Sequence, residues 1–472
     1  MTQTITTETP TGTTTLARVT LWVTLALVLL ADALDLIDST VTNIAAPTIA
    51  HDLGGGAGLI KWLGASYTLA LGALLVVGGR LGDRFGQRRL FLIGIAGFTL
   101  ASLACGLAAN PALLLTARAV QGGFGAFLIP QGMAIMVRAF PRDALRTAFA
   151  LFGPLLGLAS VGGPVLAGFL ISADLFGLGW RPVFLINVVL GVIGFVVAIF
   201  VLPAVPADRT VRLDAAGSVL LIAGVFCLML GLVDGSGSGW TLKPALVAAA
   251  GLAALALFVL RQRTAENPLL KMTLFRNRGF SFGLVVGLVF FAVTTGLSYV
   301  ISLFMQQQLG VDAKGTAIAL LPLVGGIIAA SFAGMGLLEK LGRRLLLAGF
   351  ALTVAGGAWL LLLVASLGTS VSLWALAPAV FVLGLGMGAG FSSIFNIALG
   401  DIAEDETGSA SGSLEAVQQL AGGAGSALVA SLYIGMTGVS AMTATLIVVL
   451  GLTVICAPLV GLLPKKAFVE EH

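Results

Sequence analysis

A chain of 472 residues that is 58% hydrophobic and only 10% charged stands well below the roughly 25% charged residues of a soluble domain, which excludes an ordinary globular protein. The formal net charge of +4 does not indicate nucleic-acid binding, because the basic residues lie in short segments between apolar runs long enough to span a bilayer as helices. Two histidines, His51 and His472, and three cysteines without redox or zinc spacing, Cys105, Cys227 and Cys456, argue against a histidine hydrolase and against a bound metal.

Residues 1–17 are rich in threonine and lack the basic segment of a secretory signal. The apolar run that follows, from about Leu21, is too long for a signal core and has no small-residue cleavage site. The expectation is a disordered tail ahead of an uncleaved first span. Charge clusters and glycine and proline punctuation then divide the chain into fourteen predicted spans. These are 18–46, 59–79, 90–108, 112–137, 147–171, 182–202, 215–233, 244–261, 280–307, 315–337, 344–366, 372–399, 409–434 and 440–463. Each is long enough to cross hydrocarbon, the eighth being near the lower limit.

Alternate connections collect the basic residues. One set holds Arg18, Arg80, Arg84, Arg88, Arg89, Arg138, Arg142, Arg146, Arg209 and Arg212. It continues with Arg261, Arg263, Lys271, Arg276, Arg278, Lys340, Arg343, Arg344, Lys465 and Lys466. The opposite set holds Lys61, Arg181, Lys243 and Lys314. The positive-inside rule therefore predicts an even number of spans, with both termini on the cytoplasmic side of an inner or plasma membrane. Segment 400–408 carries Asp401, Glu404, Asp405 and Glu406, and acids count little in this rule.

The connection after the second span, Leu81-Gly82-Asp83-Arg84-Phe85-Gly86-Gln87-Arg88-Arg89, is repeated after the tenth. There it reads Leu337-Leu338-Glu339-Lys340-Leu341-Gly342-Arg343-Arg344, one residue shorter, with Asp83 and Glu339 equivalent. The repeat relates spans 1–6 to spans 9–14 and leaves spans 7–8 as an inserted pair. The expected fold is an all-α polytopic membrane protein with two six-helix bundles and that pair. Its expected parts are a tail at 1–17, a first bundle at 18–202, a linker with the inserted pair at 203–279, a second bundle at 280–464 and a cytoplasmic tail at 465–472. Two bundles related by parallel repetition, with a site between them near the midplane, form an established transporter plan.

Gly79, Leu81, Gly82, Asp83, Arg84, Gly86, Arg88 and Arg89 together resemble the loop signature G-x-L-x-D-R-x-G-x-R-R of the major facilitator superfamily. Its glycines allow close helix approach, Asp83 is expected near the positive end of the third span, and the arginines are expected to pair across a cytoplasmic gate. Ile37-Asp38-Ser39-Thr40-Val41-Thr42-Asn43-Ile44-Ala45-Ala46-Pro47 is similar to the L-D-x-T-I-V-N-V-A-L-P stretch of the 14-span drug:proton antiporter branch. Trp62 and Tyr67 match W-x-x-x-x-Y of that branch, Arg118-Ala119-Val120-Gln121-Gly122 resembles R-x-x-Q-G, and Trp180 to Asn187 resembles a further branch hallmark. In the fifth span Gly163, Pro164 and Gly168 match the exporter pattern G-x-x-x-G-P-x-x-G-G, with Ala159 and Ala167 replacing two glycines, small for small.

The resemblance covers nearly the whole chain after Arg18. It implies a monomeric, proton-coupled secondary transporter, not an enzyme, that exports lipophilic drugs or small molecules, cationic ones among them, by alternating access. The energy source would be the proton motive force, with no cofactor; no G-x-x-x-x-G-K-[ST] phosphate loop occurs. Export or flipping of a lipid-like or endogenous metabolite stays open on the same fold, as does proton-driven import. An intramembrane enzyme is opposed by the lack of histidines in the spans and of Gly-x-Ser-x-Gly or His-Glu-x-x-His patterns.

Five ionisable residues lie well inside spans: Asp32, Asp35, Asp38, Arg118 and Glu415. Facing lipid at a helix centre, each would cost about 2.5–3.5 kcal/mol or more, so they are expected to face a cavity or one another. At 1.5 Å per residue Asp38 lies about 13 Å and Asp35 about 18 Å below Pro47, while Arg118 lies about 12 Å below Asn110 on the same side. Glu415 enters from the opposite side to a depth of about 10 Å. Spacing of i, i+3, i+6 keeps Asp32, Asp35 and Asp38 on one broad face. Burial favours the protonated form of Asp35, Asp38 or Glu415, and Arg118 favours the ionised form of its nearest acid, so protonation is expected to release a pairing. Plain structural roles stay open for each: a helix-to-helix bond for Asp38, a wet cavity wall for Asp32 or Asp35, a static brace for Arg118, a solvated mouth for Glu415. The resemblance also implies a cavity lined by spans 1, 4, 9 and 12 with 2, 5, 10 and 13 beside them. That makes Tyr67, Gln121, Tyr299, Phe395, Asn396 and Gln418 candidate substrate contacts, with ordinary packing as the other reading of each.

Overall fold

The computed structural model describes residues 11–141, 173–203, 214–238, 240–266, 268–270, 273–399, 407–434 and 438–464, with isolated positions between 148 and 171 and at 207, 402 and 436. Among the described residues there is no strand. The helices are α1 (Thr11–Asp52), α2 (Gly56–Phe85), α3 (Gln87–Gly106), α4 (Pro111–Ala139), α5 (Pro182–Val201), α6 (Ala215–Ser238) and α7 (Leu242–Thr264). They continue with α8 (Arg278–Gln307), the short α9 (Ala313–Ala319), α10 (Leu321–Leu341), α11 (Arg343–Leu367), α12 (Leu373–Leu399), α13 (Thr407–Ile434) and α14 (Gly438–Val460). The predicted fifth span falls largely outside the described residues, Pro164 and Gly168 with it.

Among the described residues, eleven helices are long and apolar enough to cross a membrane. Leu321–Gly334 is a shorter apolar helix at the tenth predicted span. α13 is 28 residues long but carries Glu415, two glutamines and many small residues, and is not among the eleven. With the fifth span added, this set is compatible with fourteen crossings.

Several boundaries differ from expectation. α1 begins at Thr11, so residues 11–17 are helical rather than part of a disordered tail, and it runs through Pro47 to Asp52. Membrane helices tolerate an internal proline, and the break comes at the glycine run Gly54 to Gly56 instead. α2 likewise absorbs Gly79 to Phe85, leaving Gly86 alone between α2 and α3 with φ of 95°. Gly342 does the same between α10 and α11 with φ of 50°. Only glycine holds such positive values without strain, so each turn is a single residue.

The packing of the first half recurs in the second. α4 packs on α1, α2 and α3, and α5 on α1 and α3; correspondingly α12 packs on α8, α10 and α11, and α14 on α8 and α11. Glycines bring the partners close. A Cβ on Gly122 of α4 would lie 2.2 Å from the Tyr67 carbonyl of α2, and one on Gly384 of α12 would lie 2.0 Å from the Leu323 carbonyl of α10. The repeated arginines also act alike. Arg88 Nη2 donates to the Ile199 carbonyl near the end of α5 at 2.6 Å. Arg343 donates to the Gly461 and Leu463 carbonyls just past α14.

The two halves share one apolar core at the end that carries the basic loops, where Val28, Met133 and Met136 join Phe291, Phe395 and Leu414. At the opposite end the halves have separate cores. One is built on Ile49, Leu63 and Phe184, the other on Leu297, Leu360 and Leu446. α6 and α7 pair with each other, and α6 packs on both α2 and α13. Met229 of α6 sits where a Cβ on Gly72 or Gly423 would meet it at 3.2 or 3.0 Å. Outside the spans, Asp214 accepts from Arg261 at 2.7 and 2.9 Å, and that bonding holds its carboxyl below the usual carboxylate range. Two contacts fasten the pair at opposite faces. Trp240 Nε1 donates to Ser431 Oγ of α13 at 3.0 Å, and Arg80 at the end of α2 donates to the Pro268 and Leu269 carbonyls at 2.6 Å.

Candidate functional site

The buried charges converge. Asp38 on α1 is ion-paired with Arg118 on α4, and both side chains are completely buried. Around the pair, Gln121 Nε2 donates to Asp38 Oδ1 at 3.0 Å and Asn187 Nδ2 of α5 donates to the same oxygen at 2.6 Å. Gln121 Oε1 accepts from Arg118 Nη1 at 2.7 Å, and Gln121 Nε2 also donates to Ser102 Oγ of α3 at 2.8 Å. Arg118 Nε donates to the Leu63 carbonyl at 3.3 Å. Its guanidinium lies 4.4 Å from the Tyr67 ring centre and 5.7 Å from that of Phe184. Each donor of Asp38 is thus drawn from a helix that the half-bundle already packs against α1, which is how an apolar sequence affords one buried carboxylate.

One and two turns along the α1 face stand the other acids. Asp35 is buried and accepts from the Tyr67 hydroxyl; Asp32 is half-buried. Glu415, buried on α13, lies within electrostatic reach of both Asp32 and Asp35, and Asp35 within reach of Asp38 and Arg118. A continuous field of carboxylates therefore passes from the first half into the second. Two polar atoms, Arg118 Nη2 and Asn187 Oδ1, are buried there without a hydrogen-bond partner among the described residues.

Tyr67 and Gln121, read from sequence as substrate contacts, are components of this network and almost fully buried. Phe395 lies in an aromatic cluster with Phe291, ring centres 6.1 Å apart. Asn396 is buried and donates to the Ser392 carbonyl at 2.9 Å; its own Oδ1 and Gln418 Oε1 have no hydrogen-bond partner among the described residues. Tyr299 is 40% exposed on α8 and lies apart from the charge network. Sequence reasoning missed Ser102 and Asn187 as site residues. Asn187 carried a signal, a lone amide in an otherwise apolar span; Ser102 carried none.

In the loop motif Gly79, Gly82 and Gly86 are buried and Leu81 half-buried. A Cβ on Gly82 would collide with the Gln131 amide, which donates to the Gly78 carbonyl at 2.8 Å. Asp83 is buried between Arg80 at 3.9 Å and Arg138 of α4 at 3.8 Å, both in its own half. Arg84 lies over the Phe85 ring, Arg88 reaches the Ile199 carbonyl, and Arg89 is exposed. Gly163 is buried against α1, where a Cβ would meet Thr40 Oγ1 at 1.8 Å.

Comparison with known proteins places this geometry. A family profile described as Major Facilitator Superfamily matches residues 28–426. The chain is 41% identical to a probable actinorhodin transporter of Streptomyces coelicolor, over 88% of this chain and 73% of that one. It is 31% identical to the tetracenomycin C resistance and export protein of Streptomyces glaucescens, over 88% and 77% of the two chains, and 34% identical to a puromycin resistance protein of Streptomyces alboniger, over 88% and 82%. The crystal structure of the human organic anion transporter MFSD10 shares the fold, with a TM-score of 0.65 at 15% identity over 92% of this chain and 98% of that one. With two similarly packed half-bundles and a family match across most of its length, the chain is a multi-pass membrane transporter, not an enzyme, and belongs to the Major Facilitator Superfamily.

Proposed function

We propose that this transporter exports lipophilic, antibiotic-like small molecules, cations among them, across the plasma membrane in exchange for protons. It works as a monomer with both termini in the cytoplasm. The observation that carries the reading is the run of acids from the Asp38/Arg118 pair through Asp35 and Asp32 to Glu415, because it joins the two halves through groups that bind protons. Names of relatives that export or resist antibiotics support the substrate class.

The cycle follows from charge. With its acids ionised, this buried strip carries more negative charge than Arg118 alone balances, and it attracts a proton or a cationic substrate but not both on one carboxylate. A proton taken at Asp35, Asp32 or Glu415 lowers the negative charge shared by α1 and α13 and changes how closely the halves settle. Tyr67, bonded to Asp35 and stacked under Arg118, links the proton-binding groups to the fixed ion pair. One charge crossing about 100 mV supplies roughly 2.3 kcal/mol, enough for nearly a fiftyfold substrate gradient.

The test is drug efflux driven by an imposed pH gradient in proteoliposomes, with Asp35→Asn, Asp38→Asn and Glu415→Gln. At least one substitution is expected to abolish the dependence of efflux on the gradient. Proton-coupled efflux surviving in all three overturns the carboxylate mechanism, and uptake in place of efflux in oriented vesicles overturns the direction.

A further inference from the structure

Beside the loop motif, an open groove of about 640 Å³ runs along α3 toward α5. Its floor is apolar, with Leu92, Ile93 and Ala96 from α3, Phe195 from α5, and Phe85 at its rim; Arg88 and Arg89 stand at its mouth. Among the described residues, Ile93 and Phe85 stay 43% and 45% exposed. From Gln87 at the start of α3 to Ala96 the groove descends about 14 Å, the depth of half a hydrocarbon core.

None of the described residues neutralises the charge at the mouth. Among the described residues Arg89 has no ion pair and no hydrogen bond, and Arg88 uses one nitrogen on the Ile199 carbonyl, leaving the rest of its donor fork open. The nearest acid along the chain, Asp83, is buried beside Arg80 and Arg138. Two guanidinium groups above an apolar furrow, at the depth where headgroups meet acyl chains, match a ligand that is anionic at one end and hydrocarbon at the other.

We propose that this groove binds one anionic phospholipid of the cytoplasmic leaflet, its phosphate on Arg89 and Arg88 and an acyl chain over Leu92, Ile93, Ala96 and Phe195. The proposal rests on the orientation given above and on no assumption about the substrate. Because Arg88 also holds the end of α5, the bound headgroup sits on the same side chain that fastens α5 to the turn at Gly86.

The experiment is native mass spectrometry of the full-length protein released from detergent, with phosphatidylglycerol and phosphatidylcholine of identical acyl chains supplied in turn. Wild type is expected to retain one phosphatidylglycerol in preference to phosphatidylcholine. Arg89→Gln should lower that retention about fivefold, the factor for about 1 kcal/mol per basic side chain near an anionic surface, and Arg89→Lys should restore most of it. Ala96→Trp, which fills the furrow without changing charge, should lower retention as well, while Arg263→Gln, at an exposed site on α7, should not. Thermal melting of each variant separates lost binding from lost folding. Equal retention of the two lipids, or full retention in Arg89→Gln, overturns the proposal. So does full retention in Ala96→Trp, which would mean headgroup adsorption only, or displacement by millimolar glycerol phosphate, which would mean a phosphate site without an acyl furrow. Binding is read without transport, so a lipid-retaining Asp38→Asn protein that does not transport would count against neither the groove nor its occupant.

Discussion

Asp38 accepts bonds from Arg118, Gln121 and Asn187 with no water-exposed surface, so its charge is carried wholly by neighbours. Removing one partner of a buried pair leaves the other uncompensated and costs about 3–5 kcal/mol, whereas replacing both by apolar groups is often nearly neutral. Asp38→Asn is therefore expected to lower the melting temperature of the purified protein markedly. The double variant Asp38→Leu with Arg118→Leu should recover much of that loss while staying inactive; a double variant no more stable than the single one would contradict it. That Asp35, Asp38 and Arg118 lie close together was legible from their counted depths, although the count took Pro47 as the end of a helix that runs on to Asp52; which acid pairs with Arg118 was not. Nor were the amides that complete the cluster. A polar residue in an apolar run announces that it needs a partner, but which one depends on how each helix is rotated about its axis, and that is decided by packing across the whole bundle.

At the level of elements, α2 and α4 approach so closely because Gly122 has no side chain to hold the Tyr67 backbone away. Gly123, the next residue, has only the Leu74 side chain at 3.4 Å, an ordinary contact. Alanine at either position raises helix propensity equally, so the pair isolates the contact from the helix. Gly122→Ala is expected to cost about 1–3 kcal/mol through overpacking and to disturb Tyr67 beneath Arg118. Gly123→Ala should be neutral or slightly stabilising. Thermal unfolding of both checks this, and equal effects would refute it. Helix existence and order were readable from hydrophobic length, but the ends were not. Pro47 looks like a stop and is passed by α1, and the loop motif looks like a loop although most of it is the last turns of α2. Local punctuation signals a break only where the bundle does not supply other partners for the freed backbone groups.

Over the whole molecule, the repeat of the arginine-rich turn predicted two matched halves, and their packing follows that plan. What the repeat does not encode is the state of closure. One apolar core joins the halves at the basic-loop end and another sets Ala416 of α13 among first-half residues such as Leu34 and Leu75, while at the opposite end each half keeps its own core. If the halves rock, distances at the two ends must change in opposite senses. Spin labels at Leu107 and Leu367, exposed at the end with separate cores, and at Pro141 and Lys340, exposed at the joined end, report this directly. Acidification or added substrate is expected to shorten the first distance and lengthen the second. Changes of one sign at both ends would rule out rocking.

The inserted helices matter to that motion. Trp240 ties them to α13 on one face, and Arg80 ties the following segment to α2 on the other. A stiff rod bolted to two moving plates cannot be slack in both of their positions. If the halves rock, one of these two ties has to yield, so removing the Trp240 or the Arg80 contact is expected to change how readily the carrier turns from one face to the other.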